Sequence, residues 1–424
     1  MPPTPPTTSP LAPYVHRDVP LEFAGRRLAF ATSLDLFSSH QVDVGSKLLL
    51  RTLEPVLAGG LGGGAARVLD LGCGYGAIGV ALATLPVVAS AHLVDRDALA
   101  VDFARENARR NGAEDRVTTG TNLGLDDLAA AAGHAGAEPR YDLVVANVPG
   151  KAGDAVIASM LLGPLGVLRP GGLVAVVVIE PIRALVEATL ARPDVEVALR
   201  RDTADYSVFH YRPAPDAAFP TPADAFAAGV YDIASLTFED ALEQPVTIAT
   251  VQGLANYDRF DVIESALTRR LPRLPREGCV LLANVGQGAL AAYVLRSHPA
   301  ARFVLVDRDL LALRTTRRAL LALGAPEDRL ETRLIGAWTG DSAVQPTADV
   351  LVGVLREGGN AAAVTAEYLG LLGALAPGGR AVLAGSSTAI TRLLAVKLPP
   401  HLKASRTKHR GTSFLEVARA AATD

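Results

Sequence analysis

Short apolar runs alternate along this chain with segments in which apolar residues recur every three or four positions. Val68-Leu69-Asp70-Leu71 is one such run; it breaks into Gly72-Cys73-Gly74-Tyr75-Gly76, and residues 77–85 then carry a helical pattern. Ala91-His92-Leu93-Val94 follows, closed by Asp95, and residues 99–111 again have helical spacing. Arg169-Pro170-Gly171-Gly172 marks a turn into the long run 173–179. Short, nearly unbroken apolar runs separated by helices predict a parallel sheet covered by helices on both faces. Residues 207–212 alternate apolar and polar side chains and are expected to close the sheet edge as an antiparallel strand. Residues 213–226, rich in Pro, Ala and Asp, read as a linker.

The pattern occurs twice. Val94-Asp95-Arg96-Asp97 recurs as Val306-Asp307-Arg308-Asp309, 212 residues on, and the same offset carries Gly74 and Gly76 onto Gly286 and Gly288. Downstream, 141–145 recurs at 348–352 and Pro170-Gly171-Gly172 at Pro377-Gly378-Gly379, 207 residues on; upstream, Thr32 and Asp43 fall on Thr250 and Asp261, 218 residues on. Small drifts of offset are what loop insertions produce. The reading is a disordered leader over 1–13, one α/β unit over 14–212, a linker over 213–226, and a second unit over 227–424. The copies differ chemically: Asp70 becomes Leu282, Gly72 becomes Asn284, and Asn147-Val148-Pro149-Gly150 becomes Val354-Leu355-Arg356-Glu357. The second copy is therefore read as degenerate.

Composition narrows the classes. In 424 residues, 41 Lys and Arg face 44 Asp and Glu, so no global positive field gathers phosphate backbones. The local exception is the stretch 268–276, with Arg269, Arg270, Arg273 and Arg276; an ordinary solvated helix end accounts for it equally well. No apolar run reaches the roughly 18–20 residues that span a bilayer, and residues 1–13 lack a signal peptide's basic start and hydrophobic stretch; a cytoplasmic protein is expected. Two cysteines, Cys73 and Cys279, make no disulfide framework and have no ligand spacing for a metal.

Three glycines at alternate positions let the backbone turn through conformations closed to other residues and approach a ligand closely. The spacing departs from the G-x-G-x-x-G of dinucleotide folds. Asp70-x-Gly72-x-Gly74-x-Gly76, with Asp95 closing the following strand, resembles motifs I and II of class I S-adenosylmethionine-dependent methyltransferases. The segment before it, Thr32, Phe37-Ser38 and Asp43-x-Gly45-x-x-Leu48-Leu49, resembles the tandem "small domain" type, which includes the ribosomal-RNA guanine-N2 enzymes. The resemblance implies two tandem Rossmann-like domains and S-adenosylmethionine as cofactor.

By that resemblance, Asp70, Gly72, Cys73, Gly74 and Gly76 line the cofactor's methionine and ribose parts. Asp95 accepts from both ribose hydroxyls, with Arg96 beside it. Asn122 reaches the adenine, unless it is simply a turn residue. Phe37 and Ser38 border the methionine end and the acceptor pocket. Asn147-Val148-Pro149-Gly150-Lys151 occupies the place of the family's Asn-Pro-Pro-aromatic, whose Asn accepts from a planar amine while the aromatic stacks on the acceptor ring. Asn147 and Pro149 remain, the aromatic is gone, and Lys151 is new; it either anchors an acidic group, acts as a base if desolvated, or is an exposed loop lysine. Loss of a stacking face, worth about 1–3 kcal/mol per base, together with the acidic balance, favours N-methylation of a small or medium-sized molecule. RNA guanine-N2 methylation is the alternative, and a non-catalytic cofactor-binding scaffold the second. In the ribosomal-RNA enzymes the first copy is the decayed one, whereas here the first is intact.

Overall fold

A computed structural model describes residues 9–61, 64–126, 128, 140–338, 348–409 and 412–421. Two units result, His16–Tyr231 and a second made of the residues up to Val15 with Asp232–Asp424.

The first unit opens on a hairpin, β1 (Arg17–Phe23) and β2 (Arg26–Thr32), which the apolar pattern did not announce. Its turn is Ala24-Gly25, both at positive φ, the backbone that suits two-residue hairpin loops. The sheet follows as β3 (Ala66–Leu71), β4 (Val88–Asp95), β5 (Val117–Thr121), β6 (Tyr141–Asn147), β7 (Leu168–Ile179), β8 (Val195–Asp202) and β9 (Tyr206–Pro213). Their spatial order is β5-β4-β3-β6-β7-β9-β8. Only β9 is reversed, pairing antiparallel with β7 and β8. It is thus not the edge strand its alternation predicts. Ser207 through Tyr211 are all buried, whereas β8 exposes Arg200, Arg201 and Asp202, and a charged strand is the one that tolerates an unpaired edge.

Helices α1 (Val44–Ala58), α2 (Ala77–Ala83) and α3 (Ala98–Arg110) pack on this sheet. Leu69, Val144, Val174, Val176 and Val178 in the central strands are fully buried, each worth about 1.5–3 kcal/mol in transfer from water. The bend after β3 and the ends of β4, β5 and β6 lie together at the carboxyl edge of the parallel strands, where open α/β sheets bind ligands.

The second unit repeats the plan. After a hairpin of β10 (Asp232–Glu239) and β11 (Pro245–Val251) come β12 (Cys279–Ala283), β13 (Arg302–Asp307), β14 (Leu330–Leu334), β15 (Ala348–Val354), β16 (Leu375–Gly385), β17 (Leu402–His409) and β18 (Thr412–Arg419), in the equivalent order β14-β13-β12-β15-β16-β18-β17. Even a detail recurs: Asp142 accepts from the Arg67 amide at 2.7 Å, and Asp349 from the Cys279 amide at 2.8 Å. The architecture is two tandem Rossmann-like α/β units.

Of the residues read as a leader, 1–8 lie outside the described residues. Ala12–Tyr14 instead forms a turn of 3-10 helix with Leu11 and Tyr14 buried, and the Tyr14 hydroxyl accepts from the Trp338 amide at 2.8 Å. Two apolar side chains thus anchor a Pro-rich segment. The segment read as a linker also packs: Ala225 donates to Asp126 at 2.8 Å, and any side chain at Gly166 would strike the Pro220 carbonyl. No helix among the described residues is long and apolar enough to cross a membrane.

Candidate active site

Gly72, Gly74 and Gly76 all have positive φ, at 74°, 55° and 88°. The Gly72 and Cys73 amides donate to the Val94 carbonyl at 2.9 and 3.0 Å, clamping the bend to the end of β4. Asn107 of α3 pins it from the other side, donating to the Tyr75 carbonyl at 2.8 Å and to Ala31 in the hairpin at 3.0 Å. A Cβ at Gly76 would press on Val80 and Ala104, but one at Gly72 or Gly74 would meet none of the described residues within 4 Å. The bend therefore presents bare backbone to an open face.

Asp95 stands beside that face. Its Oδ2 accepts from the Gly74 amide and its Oδ1 from the Asp97 amide, both at 2.9 Å. Burial raises its pKa, opposed by those two amides. Each oxygen keeps a lone pair for a further donor. Asn122, directly after β5, donates its amide to the Asp95 carbonyl at 2.9 Å and is buried. Among the described residues its Nδ2 has no partner, a donor that a hydrogen-bonding ligand would satisfy. A nucleoside fits this set: an acid for vicinal hydroxyls, a buried donor for a ring acceptor, and exposed backbone for the rest.

Asp70 and Cys73 are placed differently. Asp70 is fully buried behind the bend, its Oδ2 accepting from the Gly79 amide of α2 at 2.7 Å, so it braces the helix against the strand. Burial pushes its carboxyl up to about 7, opposed by the Gly79 amide and reinforced by the nearby Asp95 charge. The folded chain thus holds a proton that the unfolded chain, with a carboxyl near 4, has released. Stability is fully present below about pH 4 and is lost as pH rises through 7, on the order of a few kcal/mol across the window. Asp70→Asn is expected to flatten that fall in denaturation midpoints measured between pH 4 and 8; superimposable profiles for the two proteins would rule it out. Cys73 is buried with its thiol pKa raised well above the usual range by burial and by Asp95 and Asp70. It stays protonated and fills space.

On the acceptor side, Asn147 ends β6 and its Nδ2 donates to Asp43 Oδ2 at 2.9 Å and Ser46 Oγ at 3.0 Å. With both amide protons engaged by acceptors, its Oδ1 is turned the other way. Val148 is buried and its amide donates to Val177, while Pro149 is exposed. A Cβ at Gly150 would lie 2.4 Å from the Ile179 side chain, which takes up the space beside the loop. Lys151 is exposed and lacks the burial a proton-accepting lysine requires. Phe37 is 71% exposed, and Ser38, at φ 57°, donates its hydroxyl to the Gln41 carbonyl. Arg96 is half-buried next to Asp95. Asp43 was legible only as part of a motif; Ser46 and Tyr206, which complete the support of Asn147, gave no sequence signal.

The corresponding region of the second unit is filled from within. Asn284, Gly286 and Gly288 keep positive φ at 58°, 52° and 89°, but Arg356 pairs with the buried Asp307. Asn284 donates to the Val354 carbonyl and to Glu367. Among the described residues no cluster of His, Cys, Asp and Glu converges to hold a metal ion.

Comparison with known proteins bears on this geometry. Residues 27–209 match the family model "Methyltransferase small domain". The matched segment, most of the amino-terminal unit, is a methyltransferase small domain, and the resemblance to class I S-adenosylmethionine-dependent methyltransferases read from its motifs is borne out. The chain is 30% identical over 156 residues to Ribosomal RNA large subunit methyltransferase G of Shewanella loihica, covering 35% of the chain and 36% of that protein. It is 33% identical over 128 residues to Ribosomal RNA small subunit methyltransferase C of Citrobacter koseri, covering 30% and 32%. The chain thus spans about a third of the length of these curated relatives. A T. thermophilus 16S rRNA guanine-N2 methyltransferase, solved in complex with AdoMet and guanosine, superimposes with a TM-score of 0.61 over 96% of this chain and 99% of that one at 19% identity, which establishes the shared two-unit fold. These findings overturn the expectation of a small-molecule acceptor, since the methyltransferase small domain relatives named here act on ribosomal RNA. Overall charge is an average over the chain and does not decide between acceptors, because electrostatic steering is local.

Proposed function

We propose that this protein methylates the exocyclic N2 amine of a guanine in ribosomal RNA, with the first unit holding cofactor and acceptor. The observation that carries the reading is the orientation of Asn147. Its Nδ2 is committed to Asp43 and Ser46, so its carbonyl oxygen is offered as an acceptor. A carbonyl at that point holds a planar N–H donor and aims its nitrogen lone pair out of the base plane. The named relatives support RNA as the carrier of that amine.

Gly72, Gly74 and Gly76 hold the cofactor against bare backbone, Asp95 its ribose, and Asn122 its adenine. Phe37 and Ser38 border the acceptor. S-adenosylmethionine supplies a methyl group on an already activated sulfonium. The protein's contribution is therefore alignment: Asn147 fixes the amine, Pro149 stiffens the loop that follows, and a base within a duplex must be turned out of its stack to reach them. The N–C bond forms as the S–C bond breaks, and the amine proton leaves to solvent. Lys151, exposed, meets phosphate rather than taking that proton.

The test is transfer of tritium from labelled cofactor to total RNA, beside a small-molecule extract from the same cells. Label is expected in RNA and, after digestion, in N2-methylguanosine. Label confined to the small-molecule fraction, or to neither, sinks the proposal.

A further inference from the structure

Asp43 does more than begin a helix. It N-caps α1, its Oδ2 accepting from the Ser46 amide at 2.9 Å. The same oxygen accepts from Asn147 Nδ2 at 2.9 Å, and Oδ1 accepts from the Tyr206 hydroxyl at 3.2 Å. Ser46 Oγ takes the second Asn147 proton at 3.0 Å. Gly45 completes the arrangement, because a Cβ there would lie 2.7 Å from the Tyr206 ring and 2.9 Å from Asp43 Oδ2. Three segments distant in sequence, around residues 43–46, 147 and 206, meet at one carboxylate.

The second unit separates capping from this further task. Asp261, equivalent to Asp43, still caps its helix through the Ile263 and Glu264 amides at 2.8 and 3.1 Å. Its other oxygen accepts from Asn256, five residues away. The equivalents of Asn147, Ser46, Tyr206 and Gly45 are Val354, Glu264, Thr412 and Ile263. All four partners have changed together while the cap survives, so the helix start does not need them.

We propose that Asp43 is the positioning residue of the methyl-transfer site, locking the Asn147 amide so that its carbonyl faces the acceptor amine. Released from Asp43, that amide can rotate by half a turn and offer N–H donors to an N–H donor, which repels the acceptor at the moment of transfer. The inference rests on the reading of Asn147 given above.

Asp43→Ser is the informative variant, since serine caps a helix as well as aspartate but is too short to reach Asn147. We expect kcat for RNA to fall at least about tenfold, with cofactor Kd, KM and melting temperature little changed. Asp43→Asn is expected to recover most of the rate, its Oδ1 taking both donors and its Nδ2 turning to the Tyr206 oxygen. A readout independent of the acceptor is the pair of Asn147 side-chain amide protons in a selectively labelled full-length chain: slowly exchanging in the wild type, and fast in Asp43→Ser. Protected protons in Asp43→Ser, or an undiminished kcat in that variant while Asn147→Ala is slow, overturn the inference. An undiminished kcat in Asn147→Ala instead overturns the reading of Asn147 beneath it.

Discussion

Gly74→Arg is expected to abolish S-adenosylmethionine binding by the whole chain, at least a hundredfold in Kd by calorimetry, whereas Gly286→Arg leaves the affinity unchanged. The asymmetry follows from what surrounds each position. At Gly74 a new Cβ meets none of the described residues within 4 Å, so the fold is expected to survive with the arginine over the open face that Asp95 and Asn122 border. The φ of 55° adds about 1–2 kcal/mol of backbone strain for a non-glycine residue, too little to unfold the unit. At Gly286 the strain is similar, but Arg356 already holds Asp307 and no cofactor is displaced. Loss of binding in Gly286→Arg with retention in Gly74→Arg would reverse the assignment of the working copy.

Asn147→Ala is expected to lower kcat about a hundredfold while cofactor Kd moves less than about threefold. Removing one preorganised hydrogen-bonding group from a transferring centre costs rates of about that order. Asp43 keeps its bonds to the Ser46 amide and the Tyr206 hydroxyl, so α1 stays in place and the change reports on the acceptor alone. Equal losses in turnover and cofactor affinity would show that Asn147 serves the cofactor instead.

The bend, Asp95 and Asn147 were legible because each terminates an apolar run, and a run that stops at a glycine, an acid or an amide marks the edge of a sheet. The two-unit plan was legible because matching strand ends recur at nearly fixed spacing. What escaped depends on contacts across the sheet. Nothing in its own neighbourhood marks Tyr206 as a partner of Asp43, 163 residues away; that contact exists only because β9 inserts between β7 and β8. Arg356 gave no hint that it would turn back onto Asp307. Asp70 looked like a ligand contact by position, but its orientation toward Gly79 is set by how α2 lies on β3. The small-molecule acceptor was favoured by reading charge as an average and the missing aromatic at Gly150 as evidence about substrate, although Ile179 takes up the space beside Gly150.

Asn284 holds a left-handed conformation with a full side chain, yet the backbone around it matches that around Gly72 to within a few degrees at each corresponding glycine. Asparagine is among the few residues for which that geometry is inexpensive. The curve is therefore a property of how a strand must enter its helix in this architecture, present in both units although the groups beside it differ. Anyone transplanting catalytic function into the duplicate would inherit a ready scaffold and would have to evict one guanidinium before anything else.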